Sequence, residues 1–422
     1  MSGQSHLFVA AELPANQISP VKALLATMTL APGQADPGNA LVPFGRLPEL
    51  HVARFIVLED PSLPDRVGPT PLPPLEPTRL AFIADIDGTP EDAIARLTAE
   101  AANGLAKIFR HCEPALQASD MAAWMSNHRI VSAATYTNWP GRSATQVREE
   151  ALLHDALLAV RLAHPQMEAE ALWPILRKAG EAITLTPLAK LGLRARLAEI
   201  ADFLALPLLG IPLAPLLILL APAFAIMLRI REKSDPVIAP RPSRERNHFL
   251  SQIEDHDVAN QYGAIGTLKP GRFRLILTIV ILWIINWGAR HLYRRGRLGR
   301  VNTIHFASWT FLDDKRRVFF ASNYDGSREA YNDDFINKVA FGLNVSFSNG
   351  LGYPRTDWLI IGGARHEQDF KSYLFHHQIP AQVWYYAHRG LTSYDMARNA
   401  RLRAAFEAIP TGANLRRFVA EI

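Results

Sequence analysis

Along most of the chain apolar residues alternate with polar ones or recur every three to four positions, but two stretches break that pattern. Residues 203–228, FLALPLLGIPLAPLLILLAPAFAIML, contain no charge. That run exceeds the ~20 residues a helix needs to cross a hydrocarbon core. Pro207, Pro212, Pro215 and Pro222 interrupt it, each removing a backbone donor and bending the helix. The second stretch, 275–289, lies between Arg274 and Arg290, with Trp283 and Trp287 placed for an interfacial belt. At ~1.5 Å per residue it falls short of a full crossing unless the arginines snorkel. The alternative is a pair of buried core helices, which the flanking arginines make costly. The pattern predicts membrane attachment, with the two segments crossing as a hairpin or dipping in from one face.

Elsewhere the period switches from two to about 3.6 residues and back, and the switching occurs twice. Residues 51–60, HVARFIVLED, match residues 305–314, HFASWTFLDD, with His51 over His305 and Asp60 over Asp314. After a Pro-rich insertion at 60–78, a constant offset of 238 holds from Arg79 to Cys112. Its identities include Phe82/Phe320, Asp87/Asp325, Gly88/Gly326, Gly104/Gly342 and Phe109/Phe347, more than unrelated chains share. Each copy reads as strand, turn, strand and helix, with Thr89 and Ser327 as N-caps. The second copy continues with strand TDWLIIGGA, helix EQDFKSYLFHH, strand AQVWYYAH and a helix over 392–408. In the first, only RIVSAATYTNW and the helix after Ala144 correspond.

The expected fold class is α+β, with two ferredoxin-like repeats at 1–182 and 301–422. Between them, 183–300 holds the membrane-associated segments. Each repeat exposes a sheet face, and packing the two faces together buries both. This order of elements resembles the dimeric α+β barrel superfamily over somewhat more than half of the chain. The resemblance implies a pseudo-dimeric barrel, and a hairpin insertion would keep both halves on one side of the bilayer.

The single cysteine, Cys112, excludes an intrachain disulfide and a thiolate cluster, and fits a reducing compartment. The N-terminal MSGQSHLFVAAELPANQ has no basic region followed by an apolar core, so no secretory signal is expected. Lys and Arg number 45 against 40 Asp and Glu, a small excess that changes the picture only locally. Arg290, Arg294, Arg295, Arg297 and Arg300 directly follow an apolar stretch, which suits anionic lipid headgroups better than nucleic acid. The repeats are expected on the cytoplasmic side, although basic residues on both flanks give no clear orientation.

His51 and His305 hold equivalent places in first strands. Period two puts them on the faces of Ala53/Phe55 and Ala307/Trp309. They read either as imidazoles lining a pocket between the halves or as strand histidines bonded to nearby backbone. Asp87-Gly88 and Asp325-Gly326 close the second strands, where Asp and Gly suit a turn. The strings Ala84-Asp-Ile-Asp87-Gly88 and Ser322-Asn-Tyr-Asp325-Gly326 also resemble the Gly-x-x-Asp-Gly motif of dye-decolourising peroxidases. In that family, part of the same superfamily, the Asp lies on the distal side of haem. The first glycine is replaced in both strings, and nothing around His376, His377 or His388 matches the family's haem-ligand region.

The resemblance implies haem as the cofactor to test, with His51, His305, Asp87 and Asp325 as catalytic candidates. Ligand-binding candidates are Asn323, Arg355 for an anionic headgroup, and Trp384 and Tyr386 for stacking. Glu254-Asp-His-Asp257 with Asn260 and Gln261 has cation-ligand chemistry. It reads better as a solvated loop, so no metal site is expected. No P-loop, nucleotide-binding glycine fingerprint, HExxH or nucleophile elbow is present. The functional expectation is a membrane-attached protein that binds an apolar or lipid-derived ligand between its repeats, as an oxidoreductase of haem-peroxidase type. Its partners would be membrane lipids and an apolar small molecule, not nucleic acid. The alternative is a non-catalytic membrane scaffold or assembly factor.

Overall fold

A computed structural model describes residues 3–60, 76–188, 192–235, 240–254, 256–293, 298 and 301–422. The N-terminal half runs β1 (Gln4–Glu12), α1 (Ile18–Ala26), β2 (Leu50–Leu58), β3 (Arg79–Asp87), α2 (Pro90–Phe109), β4 (Ala134–Thr137) and α3 (Ala144–Ala163). A long helix, α4 (Leu193–Ser234), follows. The order then recurs: β5 (Ala259–Thr267), α5 (Arg272–His291), β6 (Ile304–Leu312), β7 (Arg317–Asp325) and α6 (Arg328–Phe347). After α7 (Glu367–His377) come β8 (Val383–Tyr386) and α8 (Ser393–Glu407). The chain is a mixed α+β protein.

The main strands form two antiparallel four-stranded sheets, ordered β1-β3-β2-β8 and β5-β7-β6-β4. Each half therefore gives its last strand to the other half's sheet. Registers repeat as well: Gln4 faces Asp87 and Glu12 faces Arg79, while Ala259 faces Asp325 and Thr267 faces Arg317. The chain leading into each exchanged strand first bonds its own half. The Ile130 amide donates to Phe8 O at 2.8 Å, and the Ile379 amide to Gly263 O at 2.7 Å. The two sheets are thus linked along both edges.

Local details repeat too. Thr89 and Ser327 cap α2 and α6 through their hydroxyls, and Ser143 and Thr392 form capping boxes on α3 and α8. Both α2 and α6 leave helical geometry at their twelfth residue, Ala101 and Val339. Those positions lie in register with the 238-residue offset.

The inner sheet faces interdigitate. Phe8, Ile56 and Ile83 from one sheet meet Ile265, Phe306 and Phe319 from the other, with the Phe8 and Phe319 rings 5.9 Å apart. Outer faces are covered by helices, so β2 is buried on both sides and reads as the nearly unbroken run LHVARFIVL.

Several expectations change. TDWLIIGGA is not a strand. Only Thr356–Asp357 pairs with Ile361–Gly362, and Trp358 and Leu359 between them take positive φ at a turn. The opening strands β1 and β5 were not anticipated. β5 lies inside the span 183–300, and its ladder with β7 carries the C-terminal unit upstream of 301 to residue 259. The second apolar stretch is α5, which connects β5 to β6 just as α1 connects β1 to β2. Arg274 does not snorkel: it is 2% exposed and bonded to Asp235 and Asn349.

Two helices, Arg196–Ser234 and Arg272–His291, are long and apolar enough to cross a membrane. None of the apolar window of α4 is buried within the protein, against 39% of that of α5. A core-helix reading therefore fails for α4 and half applies to α5. They run antiparallel: Phe203 stacks on Trp287 at 5.6 Å, and Phe224 meets Phe273 at 5.5 Å. Between those contacts α4 rises about 32 Å but α5 only about 21 Å. The longer helix must bow, which its four prolines permit. Of the arginine cluster after α5, Arg290 pairs with Asp202, while Arg294, Arg295, Arg297 and Arg300 lie outside the described residues.

Candidate functional site

Strands β2 and β6 each contain a register shift, between Leu50 and Val52 and between Ile304 and Phe306. His51 and His305 are the extra residues of these two bulges. An inserted residue breaks the period-two alternation, so neither histidine shares a face with its predicted neighbours. Ala53 and Phe55 belong to the outer core, whereas the His51 ring packs on Phe306 and the His305 ring on Tyr386, both in the inner core.

The bulges aim each imidazole at the carboxylate ending the neighbouring strand. His51 Nε2 lies 3.0 Å from Asp87 Oδ1, and His305 Nε2 lies 2.6 Å from Asp325 Oδ1. The other oxygen of each Asp accepts from the first residue of a helix: Ala144 N at 2.8 Å and Ser393 N at 2.7 Å. A carboxylate there satisfies an orphan amide and complements the helix dipole. Each His–Asp pair thus ties a hairpin to a helix of its own half.

Sequence reasoning gave His388 too small a part. Its Nε2 is 3.1 Å from His51 Nδ1, and its ring meets Tyr386 edge-on. With Asp87 accepting from His51 Nε2–H, His51 Nδ1 accepts from His388 Nε2–H, and His388 Nδ1 has no partner. Burial, aided by His51, Arg148 and His305, holds the His388 pKa well below its ordinary value. The structure brings His51, His305, His388, Asp87, Asp325 and Tyr386 into one region. His51, His305 and His388 are 2%, 4% and 3% exposed, so the cluster is sealed.

Arg54 was also missed. It reaches across to the other sheet, donating to Tyr262 O, Ser322 O and Asn323 Oδ1. Burial draws its pKa down to about 10, opposed by Asp85. An arginine in the otherwise apolar run LHVARFIVL was the available signal.

The ligand candidates do not converge. Asn323 serves Arg54, Arg355 donates to Asp235 O at 2.7 Å, and Tyr386 donates to Leu391 O at 2.8 Å while stacking on Trp384. The polar loop is also engaged: Glu254 pairs with Arg328, Asp257 accepts from Gly390 N, and Asn260 and Gln261 lie on β5. Asp255 lies outside the described residues. Among those residues no cluster of three or more His, Cys, Asp or Glu could hold a metal ion. Both His376 and His377 are buried.

The inter-sheet space is packed at its centre by Phe8, Ile56, Phe306 and Phe319, and Trp384 and Tyr386 line only a small pocket of about 20 Å³ beside Asn260. Haem does not fit beside Asp87 or Asp325. Each carboxylate is already engaged at both oxygens and packed around, leaving no bed for a macrocycle.

The open space lies elsewhere. An apolar cavity of about 360 Å³ separates the outer face of the second sheet from α5, α6 and α7. Tyr136, Trp309 and Phe320 form its floor, with Ile285, Phe335 and Gly342 on the helices. Its size suits a small-molecule site, and among the described residues its lining holds no Asp, Glu, Lys or Arg. Comparison with protein-family models, with curated proteins and with solved structures finds no match for this chain.

Proposed function

We propose that this is a membrane-attached protein that binds an uncharged, apolar or lipid-derived molecule in the cavity of its C-terminal half. One observation carries the reading: the cavity is walled by α5, whose opposite face is apolar and meets α4 only near its two ends. Ile285 and Ala289 line the cavity, while Ile276, Val280 and Trp283 of the same helix are 59%, 45% and 45% exposed. A molecule dissolved in acyl chains would be one helix away from the site. We read the two halves as ferredoxin-like units with exchanged fourth strands, forming a pseudo-dimeric α+β barrel. The recurring order of elements and the paired registers support this. Both ends of α5 return to one sheet, through β5 and β6, which supports placing both halves on one side, the cytoplasmic one by the single cysteine.

On this reading the His–Asp pairs are positioning groups rather than peroxidase residues, because each is sealed and fully engaged. That observation also favours a second reading, a scaffold without ligand. Titration of detergent-purified protein with the apolar fluorophore N-phenylnaphthylamine separates the two. Saturable binding that is lost in Gly342→Phe supports the carrier reading, since a side chain at 342 meets little before filling the cavity. No saturable binding, or binding unchanged in Gly342→Phe at intact folding, supports the scaffold.

A further inference from the structure

The turn at 356–362 is held in an unusual way. Trp358 and Leu359 sit consecutively at φ 55° and 68°, which side chains rarely adopt. Their amides both point at the Glu232 carboxylate, near the end of α4, at 2.9 and 2.7 Å. Glu232 also accepts from Thr356 Oγ1 at 3.0 Å and from Arg229 Nη1 at 3.0 Å, and is wholly buried. Arg229 pairs in turn with Asp357 at 2.5 Å and lies over the Trp358 ring at 5.7 Å.

This clamp fixes a tip whose side chains face outward. Trp358, Ile360 and Ile361 are 50%, 48% and 51% exposed, while Leu359 turns in against Leu228, Leu277 and Ile281. Ile285 and Val345 join that same cluster and also line the cavity. Phe341, on the neighbouring helix α6, is 58% exposed. Arg229 and Glu232 follow directly on the charge-free run 203–228.

We propose that the 356–362 turn is a second membrane element, an apolar tip that enters the interface beside α4 and sets the cavity's α5–α6 side against lipid. Its occupant is the bilayer itself. The argument is continuity: the tip is bonded to the helix end where the apolar surface of α4 stops, and Trp with a nearby Arg is the composition of an interfacial anchor. The inference rests on the reading that α4 enters the bilayer.

The test uses the full chain carrying Cys112→Ser, reconstituted into phosphatidylcholine and phosphatidylglycerol vesicles. An environment-sensitive fluorophore is attached at Ile360→Cys, Ile218→Cys or Val131→Cys in turn. Residue 218 reports α4, and the exposed Val131 of the N-terminal half reports water. The expected result is loss of most emission to 5-doxyl lipid at 360 and 218, and to iodide at 131. Quenching by doxyl at 218 but by iodide at 360 overturns the tip and leaves the membrane reading standing. Iodide quenching at both overturns the membrane reading and the tip with it. Glu232→Ala frees the turn, so doxyl quenching at 360 should fall while that at 218 persists.

Discussion

The two halves place the same aromatic pair on their outer sheet faces and then treat it differently. In the N-terminal sheet Tyr385, from the exchanged strand, sits opposite Ala53, beside Phe55; in the C-terminal sheet the exchanged Tyr136 sits opposite Ala307, beside Trp309. On the first pair lies Phe44, stacked on Tyr385 at 5.1 Å and 6.5 Å from Phe55. Tyr136 and Trp309 instead face the cavity. Phe44 comes from the connector 27–49, whereas the corresponding connector 292–303 is about half as long. Of the described residues in that connector, Val301 and Leu298 join the cluster of Tyr136 and Trp309. The cavity thus lies over the C-terminal pair where Phe44 covers the N-terminal one, next to a helix of 20 residues, α5, against the nine of α1. Two halves with the same order of elements can thus pack their outer faces to different degrees.

The sharpest way to break this comparison is at two equivalent glycines. A Cβ at Gly104 would lie 1.9 Å from Leu41 O and within 2.6 Å of two more backbone atoms of the plug. At Gly342 the nearest contact is Val339 at 4.0 Å. Gly104→Ala should cost more than about 3 kcal/mol, because backbone rather than a flexible side chain must give way. Gly342→Ala should be neutral or stabilising by up to about 1 kcal/mol, since alanine favours helix. Chemical denaturation in detergent measures both, and equal losses would deny that the two sites differ in packing.

Next come the carboxylates. Asp325→Ala strips a partner from His305 and from the first amide of α8, both buried, and should cost about 3 kcal/mol. Asp87→Ala should cost somewhat less, because His51 can move its proton to Nδ1 and accept at Nε2 from Gln4 Nε2–H, 3.3 Å away. Matched denaturation curves decide it; the reverse order would mean the two latches are not equivalent. Arg54 has no such twin, since Ser308 holds its place in the other sheet. Arg54→Met orphans three acceptors across the interface and should cost about 2 kcal/mol, while Ser308→Ala, already lacking a partner, should cost under about 0.5 kcal/mol.

How much of this was legible from residues alone follows from what each residue type encodes locally. Asp-Gly after a β-branched run, with Thr89 or Ser327 beyond it, is local turn and cap chemistry, and both hairpins and helices appear where it put them. The two apolar segments were equally plain, but the second reaches crossing length only because its helix runs on to Arg272 and His291. The opening strand QSHLFVAAE was hidden because it begins in polar residues, and ANQYGAIGT because two glycines dilute it. The bulges at His51 and His305 leave no mark in sequence, since a bulge is a mismatch between two strands rather than a property of one. Strand exchange is likewise invisible: VWYY pairs as readily with β2 as with β5. The cavity could not be read from its own lining, because an absent side chain in a shortened connector writes nothing at the positions it exposes.

The smallest effect concerns acid. His388 sits where the other half has Trp139: the amides of the preceding residues, Ala387 and Asn138, donate to His51 O and His305 O respectively. Only one half therefore carries a buried titratable ring at this place. Burial lowers the His388 pKa in the folded protein, whereas the unfolded chain takes up a proton near pH 6.5. Below that value the unfolded state binds more protons, so stability falls as pH drops, by at most about 1.4 kcal/mol per unit for one group. No loss from this group is expected above pH 7. His51, Arg148 and His305 all act in the same direction as burial, so none of these neighbours relieves the cost. Denaturation midpoints at pH 7.5 and 5.5 should differ in the wild type, and the difference should shrink in His388→Gln. An unchanged pH dependence in His388→Gln, with Trp139→His leaving it unchanged too, would place the acid sensitivity elsewhere and remove this last distinction between the halves.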